Sequence, residues 1–517
     1  MRYTFLLLLA ALLALPFLAP SSASRETKSD SDSSNRLIVV TPHNGDIRKE
    51  FAEAFNAWHR ARYGTDVYLD YHVPGGTSDL VRLLTHSYDA YRRADKSLPD
   101  TMNVDYEVVW GGGDYTFYHD LSPVGILQPM HLDPKLLHEA FPQDALAGVR
   151  LYDSTRDASG TQTPTWVGVC LSSFGIIYNT ELYQTLNLPT PTSWDDLTRP
   201  ELFGLVALAD PAHSGSSSVA YMMVLQRAMA DAEQALFARH PELKSMPRAA
   251  LAKRDDYQIA IAAGWKRGMG QLLLIGANAR YYTDSSEVVP NDVGRAEAAA
   301  GMAIDFYARV EEGIVGPERA QFIAPHAATA ITPDGVAILH GVSGRQLTLA
   351  THFVEYLLTP EAQRLWILRP GEPGGPRFRS PRRMPVRRDV YANQTGWIDH
   401  VNPFEEAGGF NQRGEWMAYM TDTRPFWNIA WIDTHDQLID AYRRIISVPD
   451  ATKRKKLLAG LADIPVTLND VKYRRDHRAE IEKSRGDADE WLAEQRIAWG
   501  KKFREHYARV AREVESD

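Results

Sequence analysis

Two stretches of this chain repeat one arrangement: an apolar run, a loop broken by Pro and Gly, and small hydroxyl residues where a helix can begin. In one, Leu205-Val206-Ala207-Leu208 is followed by Asp210-Pro211-Ala212-His213-Ser214-Gly215-Ser216 and then by the apolar run from Val219 to Leu225. In the other, Val67, Leu69, Tyr71 and Val73 alternate with other residues before Pro74-Gly75-Gly76-Thr77-Ser78-Asp79 and a segment carrying Leu80, Val81, Leu83 and Leu84. Apolar runs of this kind suit strands, and Pro and Gly keep the loops out of regular structure. A helix start carries unpaired N–H groups and a partial positive charge, to which serine hydroxyls add donors, so an anion can sit there. Taken alone, either start also fits an ordinary N-cap with the remaining serines solvated.

The same alternation runs through the rest of the first part of the chain. Leu37–Val40 is a strand ended by Thr41-Pro42-His43-Asn44-Gly45, after which Ile47, Phe51, Phe55 and Trp58 recur at helical spacing. Asp105–Trp110 is predicted as a further strand, running into a Gly111-Gly112-Gly113-Asp114 loop. Strand and helix in alternation predict an α/β layer with a parallel sheet, whose ligands bind beyond the carboxyl ends of the strands. Three loops fall there: 41–45, 74–78 and 111–114. Neither GxxxxGK[ST] nor GxGxxG occurs, so nucleotide binding has no motif behind it.

A chain of 517 residues has room for about three domains, and 44% hydrophobic with 24% charged residues is ordinary globular composition. The net charge of −9 and the scattered basic residues argue against a nucleic-acid partner. Residues 1–23 have the form of a cleaved export signal, with Arg2, an apolar stretch from Phe5 to Leu15, and Ser21-Ser22-Ala23. A membrane anchor is the alternative, but Pro16 interrupts a run already shorter than the roughly 20 residues of a span. Residues 24–35 are polar and predicted to be a disordered leader. Cys170 is the only cysteine, so neither a lipid-bearing N-terminus nor an intramolecular disulfide is expected. The expected location is periplasmic or secreted.

From Tyr178 to Gly204, YNTELYQTLNLPTPTSWDDLTRPELFG followed by ALADPAHSGSS resembles the bacterial extracellular solute-binding proteins of ABC importers, iron(III)-type branch. Tyr281–Val310 resembles that branch's second-lobe ligand segment, and Ile331–Trp366 its return to the first lobe, including the FV-x-Y-LL-x-P-E-x-Q pattern at Phe353–Gln363. The resemblance implies a type 2 periplasmic-binding-protein fold: two α/β lobes that clamp a ligand by hinge closure. Its expected divisions are lobe 1 at 36–170, lobe 2 at 171–325, a return to lobe 1 at 326–400, and a helical C-terminal extension at 401–517. The two helix starts would then face each other across the cleft. The expected ligand contacts are Thr41, His43, Gly76, Thr77, Ser78, Asp114, Ser172, Ser173, Ser214, Gly215, Ser216 and Tyr307.

The branch's iron binders hold ferric ion, with a bound anion, on adjacent tyrosines assisted by histidine and carboxylate. Here the corresponding position reads Asp305-Phe306-Tyr307, and Phe306 cannot ligate. A metal would have to rest on His43, Asp114 and Tyr307. The expected function is delivery of a small anionic or metal–anion ligand to the membrane subunits of an ABC transporter, by a monomer that needs no cofactor. The alternatives are a secreted hydrolase or transferase and a ligand sensor. HExxH, GxSxG, CxxC pairs and EF-hand loops are absent. Tyr281-Tyr282 is read as a packed or hydrogen-bonding pair, and Ser172-Ser173 as a polar break in the strand Trp166–Asn179. The basic run Arg377–Arg388 is read as a solvated loop, or else as a docking patch for the membrane subunits. Trp397, Trp416, Phe426, Trp427 and Trp431 are expected to cover the lobes, and Trp491, Trp499, Phe503, Tyr507 and Val510 to pack one face of a long helix.

Overall fold

The predicted alternation of strand and helix is present in the computed structural model, which describes residues 35–94, 105–153, 155–406, 410, 412–477, 480–481 and 488–515. The expected export signal and most of the leader lie outside those residues. The first lobe opens with β1 (Arg36–Val40), α1 (Gly45–Tyr63), β2 (Tyr68–His72), α2 (Thr77–Ala94) and β3 (Val108–Gly113). β4 (Val167–Asn179) follows, then β5 (Val206–Ala209), α3 (Gly215–Arg239), α4 (Asp255–Ala277), β6 (Ala279–Thr283), β7 (Ala300–Ile304) and α5 (Asp305–Val315). β8 (Ala320–Ile323), β9 (Ile331–Ile338), α6 (Gly344–Leu358) and β10 (Met384–Pro385) lead to an extension containing α7 (Tyr419–Trp427) and α8 (Ala488–Glu515).

Local chemistry sets the helices that matter for the cleft. The Asn44 side chain caps α1 by accepting from Ile47 N at 3.1 Å, and Gly64 closes it in the left-handed region at φ 74. Ile47, Phe51 and Phe55 form its buried face. Ser214 caps α3, its hydroxyl accepting from Ser217 N at 3.2 Å. That helix is buried on most of its surface over residues 217–226.

The strands form one 10-stranded sheet in the order β2-β1-β3-β9-β4-β7-β5-β6, with β8 and β10 also paired to β4. β1 runs parallel to β3, and β5 runs parallel to both its neighbours. β4 belongs to both lobes: Leu171, Ser172 and Ser173 pair with Pro333, Thr332 and Ile331, while Phe174 to Tyr178 pair with Ile304 to Ala300. All 13 of its residues are buried, which makes this strand the stiff connection on which the lobes are hung.

Ser172-Ser173 is a polar interruption within one continuous strand, as expected: both residues stay in register with β9 and their hydroxyls find partners. One expectation needs correction, since Gly111–Gly113 is the end of β3 rather than a free loop, Gly113 pairing with Asp334 and Trp110 with Val336. The extension packs as expected: Trp416, Phe426, Trp427 and Trp431 are buried, and the Phe426 and Trp499 rings lie 4.0 Å apart. Phe503, Tyr507 and Val510 of α8 are buried with them, and Trp397 sits in a smaller cluster with Ile367 and Leu368. Among the described residues, no helix is long and apolar enough to cross a membrane.

Candidate functional site

A cavity of about 720 Å³ opens where the first-lobe loops meet the second lobe. His43, Asn44 and Gly45 reach it from the end of β1, Gly75, Gly76 and Thr77 from the start of α2, and Gly112 and Gly113 from the end of β3. Ser214, Gly215 and Ser216 face them from the start of α3, and Phe306 and Tyr307 from the start of α5. The two hydroxyl-rich starts touch. A Cβ added at Gly215 would lie 3.0 Å from the Thr77 Cβ, and one at Gly76 would lie 2.6 Å from the His213 carbonyl oxygen. The starts of α1, α2 and α3 thus all border one space, each bringing the positive end of a helix.

The charges on the wall are asymmetric in depth. Arg383 is fully buried, with Nη1 2.5 Å from Asp334 Oδ2 and Nη2 donating to Ser172 Oγ at 2.8 Å. Its guanidinium lies 4.2 Å from the centroid of the Phe306 ring, and its Nε has no partner. Arg48 and Arg424 also border the cavity, as do Asp284 and Glu287 at the second-lobe side. Burial, with Arg383 and Arg48 nearby, pushes the His43 imidazole well below its usual 6.5, so the ring is neutral. That ring stands edge-on to Trp110, 4.5 Å between centroids, and its Nε2 has no partner. Gly111, at φ 102, is what lets the two approach, since a Cβ there would lie 2.9 Å from His43 Nε2.

Residues 147–369 match the family described as bacterial extracellular solute-binding protein. Over this segment the chain is similar to that family. The phosphoglycerate transport regulatory protein PgtC of Salmonella typhimurium is 26% identical over 237 residues, 45% of this chain and 49% of that protein. The chain therefore spans about half the length of the curated relatives it matches. Among solved structures, the periplasmic binding protein AfuA from Actinobacillus pleuropneumoniae, with exogenous fructose-6-phosphate bound, is similar over 77% of this chain and 98% of its own, at 19% identity and TM-score 0.47. Iron-bound HitA from Pseudomonas aeruginosa is similar over 76% of this chain and 99% of its own, at 15% identity and TM-score 0.45.

Seven of the residues singled out by sequence border the cavity: His43, Gly76, Thr77, Ser214, Gly215, Ser216 and Tyr307. The other five do not. Thr41 is buried beneath the loop, where its hydroxyl accepts from His43 N at 3.1 Å. Ser78 borders a smaller side cavity of about 180 Å³. Burial and the neighbouring Asp334 push the Asp114 carboxyl from 3.8 up to about 7, off the main wall. Ser172 holds Arg383, and Ser173 donates to Asp305 Oδ2 from N at 2.9 Å and from Oγ at 3.1 Å. These two serines orient the groups behind the wall and do not face the cavity. Tyr281 and Tyr282 are a hydrogen-bonding pair, to Asp292 Oδ2 at 2.7 Å and to the Gly276 carbonyl at 3.3 Å.

The residue that sequence reasoning missed is Arg383. The run Arg377–Arg388 is not a solvated loop throughout: Arg383 and Arg387 are 1% and 2% exposed. Each buried guanidinium there has its own carboxylate, Arg382 with Asp399, Arg383 with Asp334, and Arg387 with Asp389. The two ends of the run face solvent, at Arg377, Arg379 and Arg388. Met384-Pro385-Val386, apolar among the arginines, was the available sign that this segment turns inward to pair with β4. Among the described residues, no group of three or more His, Cys, Asp or Glu side chains is placed to hold a metal ion.

Proposed function

We propose that this protein captures a small organic anion bearing a phosphate or carboxylate, outside the cytoplasm, and hands it to the membrane subunits of an ABC importer. The observation that carries the reading is Arg383: a buried guanidinium lying on Phe306, at the position where the iron binders of the branch have a tyrosine. The wall therefore carries a guanidinium of its own, ion-paired with Asp334, and leaves one phenol, that of Tyr307, which burial and Glu287 push up in pKa and so away from phenolate. Adding a ferric ion beside Arg383 sets like charges together, whereas an anion is attracted by Arg383 and by three helix starts at once. The name of the Salmonella relative, a phosphoglycerate transport regulatory protein, supports a phosphorylated acid as the ligand. Its word "regulatory" favours a second reading, in which the bound form signals to a receptor and delivers nothing. The family's members are binding proteins, and the ligand is expected to leave unchanged.

The test is calorimetry and thermal shift on refolded, ligand-stripped protein with 3-phosphoglycerate, inorganic phosphate and ferric citrate. The expected result is saturable binding of 3-phosphoglycerate, a raised melting temperature by mass action, and no product by NMR. Arg383→Met should abolish that binding and, by stranding Asp334, destabilise the fold by about 3–5 kcal/mol. Arg383→Lys keeps the charge and should retain folding with weakened binding. Iron binding with charge-transfer colour in the wild type would overturn the organic-anion reading.

A further inference from the structure

The C-terminal extension reaches the cavity. α7 is fixed to the second lobe: Trp427 stands edge-on to Tyr221 of α3 at 5.4 Å, and Thr423 accepts from Trp265 of α4 at 3.4 Å. Asn428, just past α7, donates to Asp210 Oδ1 at 2.9 Å. From that mount Met420 and Arg424 border the main cavity opposite first-lobe residues Thr77 and Thr116. Arg424 also borders the side cavity of about 180 Å³, together with Ser78, Asp120 and Gly215. The two cavities share Thr77, Thr116, Gly215 and Arg424, so they are neighbouring chambers with common walls.

The side chamber holds polar atoms with no partner. Arg424 Nε and Ser78 Oγ are both buried and neither makes a hydrogen bond. Asp120 stands near enough to feel the Arg424 charge, while burial pushes its carboxyl up to about 6. Arg82, the remaining cation of the chamber, is already paired with Asp79. Arg383 does not border this chamber, so the two arginines serve different parts of the wall. A buried guanidinium nitrogen and a buried hydroxyl left unpaired are costly unless a ligand completes them.

We propose that Arg424 makes the extension part of the ligand site, holding a second acidic group of a ligand whose first is held at Arg383. The ligand is then a short organic molecule with two separated anionic groups, and the inference rests on the anionic-ligand reading above. The side chamber takes the group that reaches Arg424, Ser78 and the paired helix starts. The extension sets which anions fit.

The experiment titrates the full chain, stripped of ligand, with 3-phosphoglycerate (two acidic groups) and with glycerol 3-phosphate (one). Arg424→Gln should weaken 3-phosphoglycerate by about 10- to 100-fold, the cost of one lost charge-assisted contact, and change glycerol 3-phosphate by less than about 3-fold. Arg424→Lys should recover part of the loss, and the ligand-free melting temperature should stay near wild type. If the wild type binds 3-phosphoglycerate and Arg424→Gln weakens both probes equally or neither, the inference falls while the anionic reading stands. If the wild type binds neither probe, both fall together.

Discussion

The two helix starts that face each other across the cavity look alike in sequence and differ in how they are satisfied. At the start of α3 two hydroxyls have partners within the protein: Ser214 caps the helix by accepting from Ser217 N, and Ser218 donates to the Pro211 carbonyl at 2.9 Å. At the start of α2 a carboxylate does that work, Asp79 Oδ2 accepting from Gly76 N at 3.1 Å. Ser78 is thereby left with a buried hydroxyl that has no partner. One start is capped by a serine; the other is closed by a carboxylate and keeps a buried hydroxyl with no partner. Small-residue composition marks a helix start, but the capping geometry decides which hydroxyls remain free.

The contact between the starts is the first thing to break. Gly76→Val places branched carbons against the His213 carbonyl, where even a Cβ would lie at 2.6 Å. Overpacking of this kind costs about 1–3 kcal/mol, and here the cost falls on the form in which the lobes meet. Affinity for 3-phosphoglycerate should drop by about 5- to 150-fold, measured by calorimetry, with a smaller change in the ligand-free melting temperature. Unchanged affinity would mean that ligand binding does not need these starts in contact.

The serines then separate the two roles. Ser214→Ala should lower stability by about 1 kcal/mol, as loss of an N-cap does, and leave affinity nearly unchanged. Ser78→Ala should do the reverse, leaving the melting temperature in place and weakening 3-phosphoglycerate by about 3- to 10-fold. Chemical denaturation and titration on the same two variants give both readings. A matching loss of affinity in both would restore the symmetric cradle that the sequence suggested.

That symmetric cradle shows what could be read in the chain. β1, α1, β2, α2, β5 and the start of α3 carry period-2 or helical apolar patterns with Pro and Gly punctuation, so their order and the loops at the strand ends were legible. Arg383 was not. Its burial depends on Asp334 and Ser172, separated from it along the chain by 49 and 211 residues, and only the folded sheet brings these together. Arg424 was hidden for the same reason, since nothing local distinguishes it from an exposed helix residue. Ser172 and Ser173 were legible as polar residues in an apolar strand, but their role reversed. They orient Arg383 and Asp305 from behind the wall and offer nothing to the cavity.

The smallest effect concerns Asp114, just past the end of β3. Burial, with Asp334 nearby, raises the Asp114 carboxyl from 3.8 to about 7, so in the folded protein it keeps a proton that the unfolded chain has already lost. The native state binds more protons over that range, and this stabilising contribution, complete below pH 3.8, is lost as pH rises through about 7. His43 works in the opposite direction. It is held neutral while the unfolded histidine takes up a proton below 6.5, so its contribution is lost as pH falls. The two partly cancel in the wild-type profile, while Asp120 and Asp305, whose carboxyls are also pushed up, to about 6, act in the same direction as Asp114. The difference between wild type and Asp114→Asn removes these shared contributions. Asn imitates the protonated acid at every pH, so the variant's melting temperature relative to wild type should climb between about pH 4 and pH 8 and then level off. A flat difference would mean that Asp114 is ionised throughout. A fixed negative charge would then sit next in sequence to Gly113, which borders the cavity, and the cations at Arg383 and Arg424 would have to outweigh it before any anion could bind.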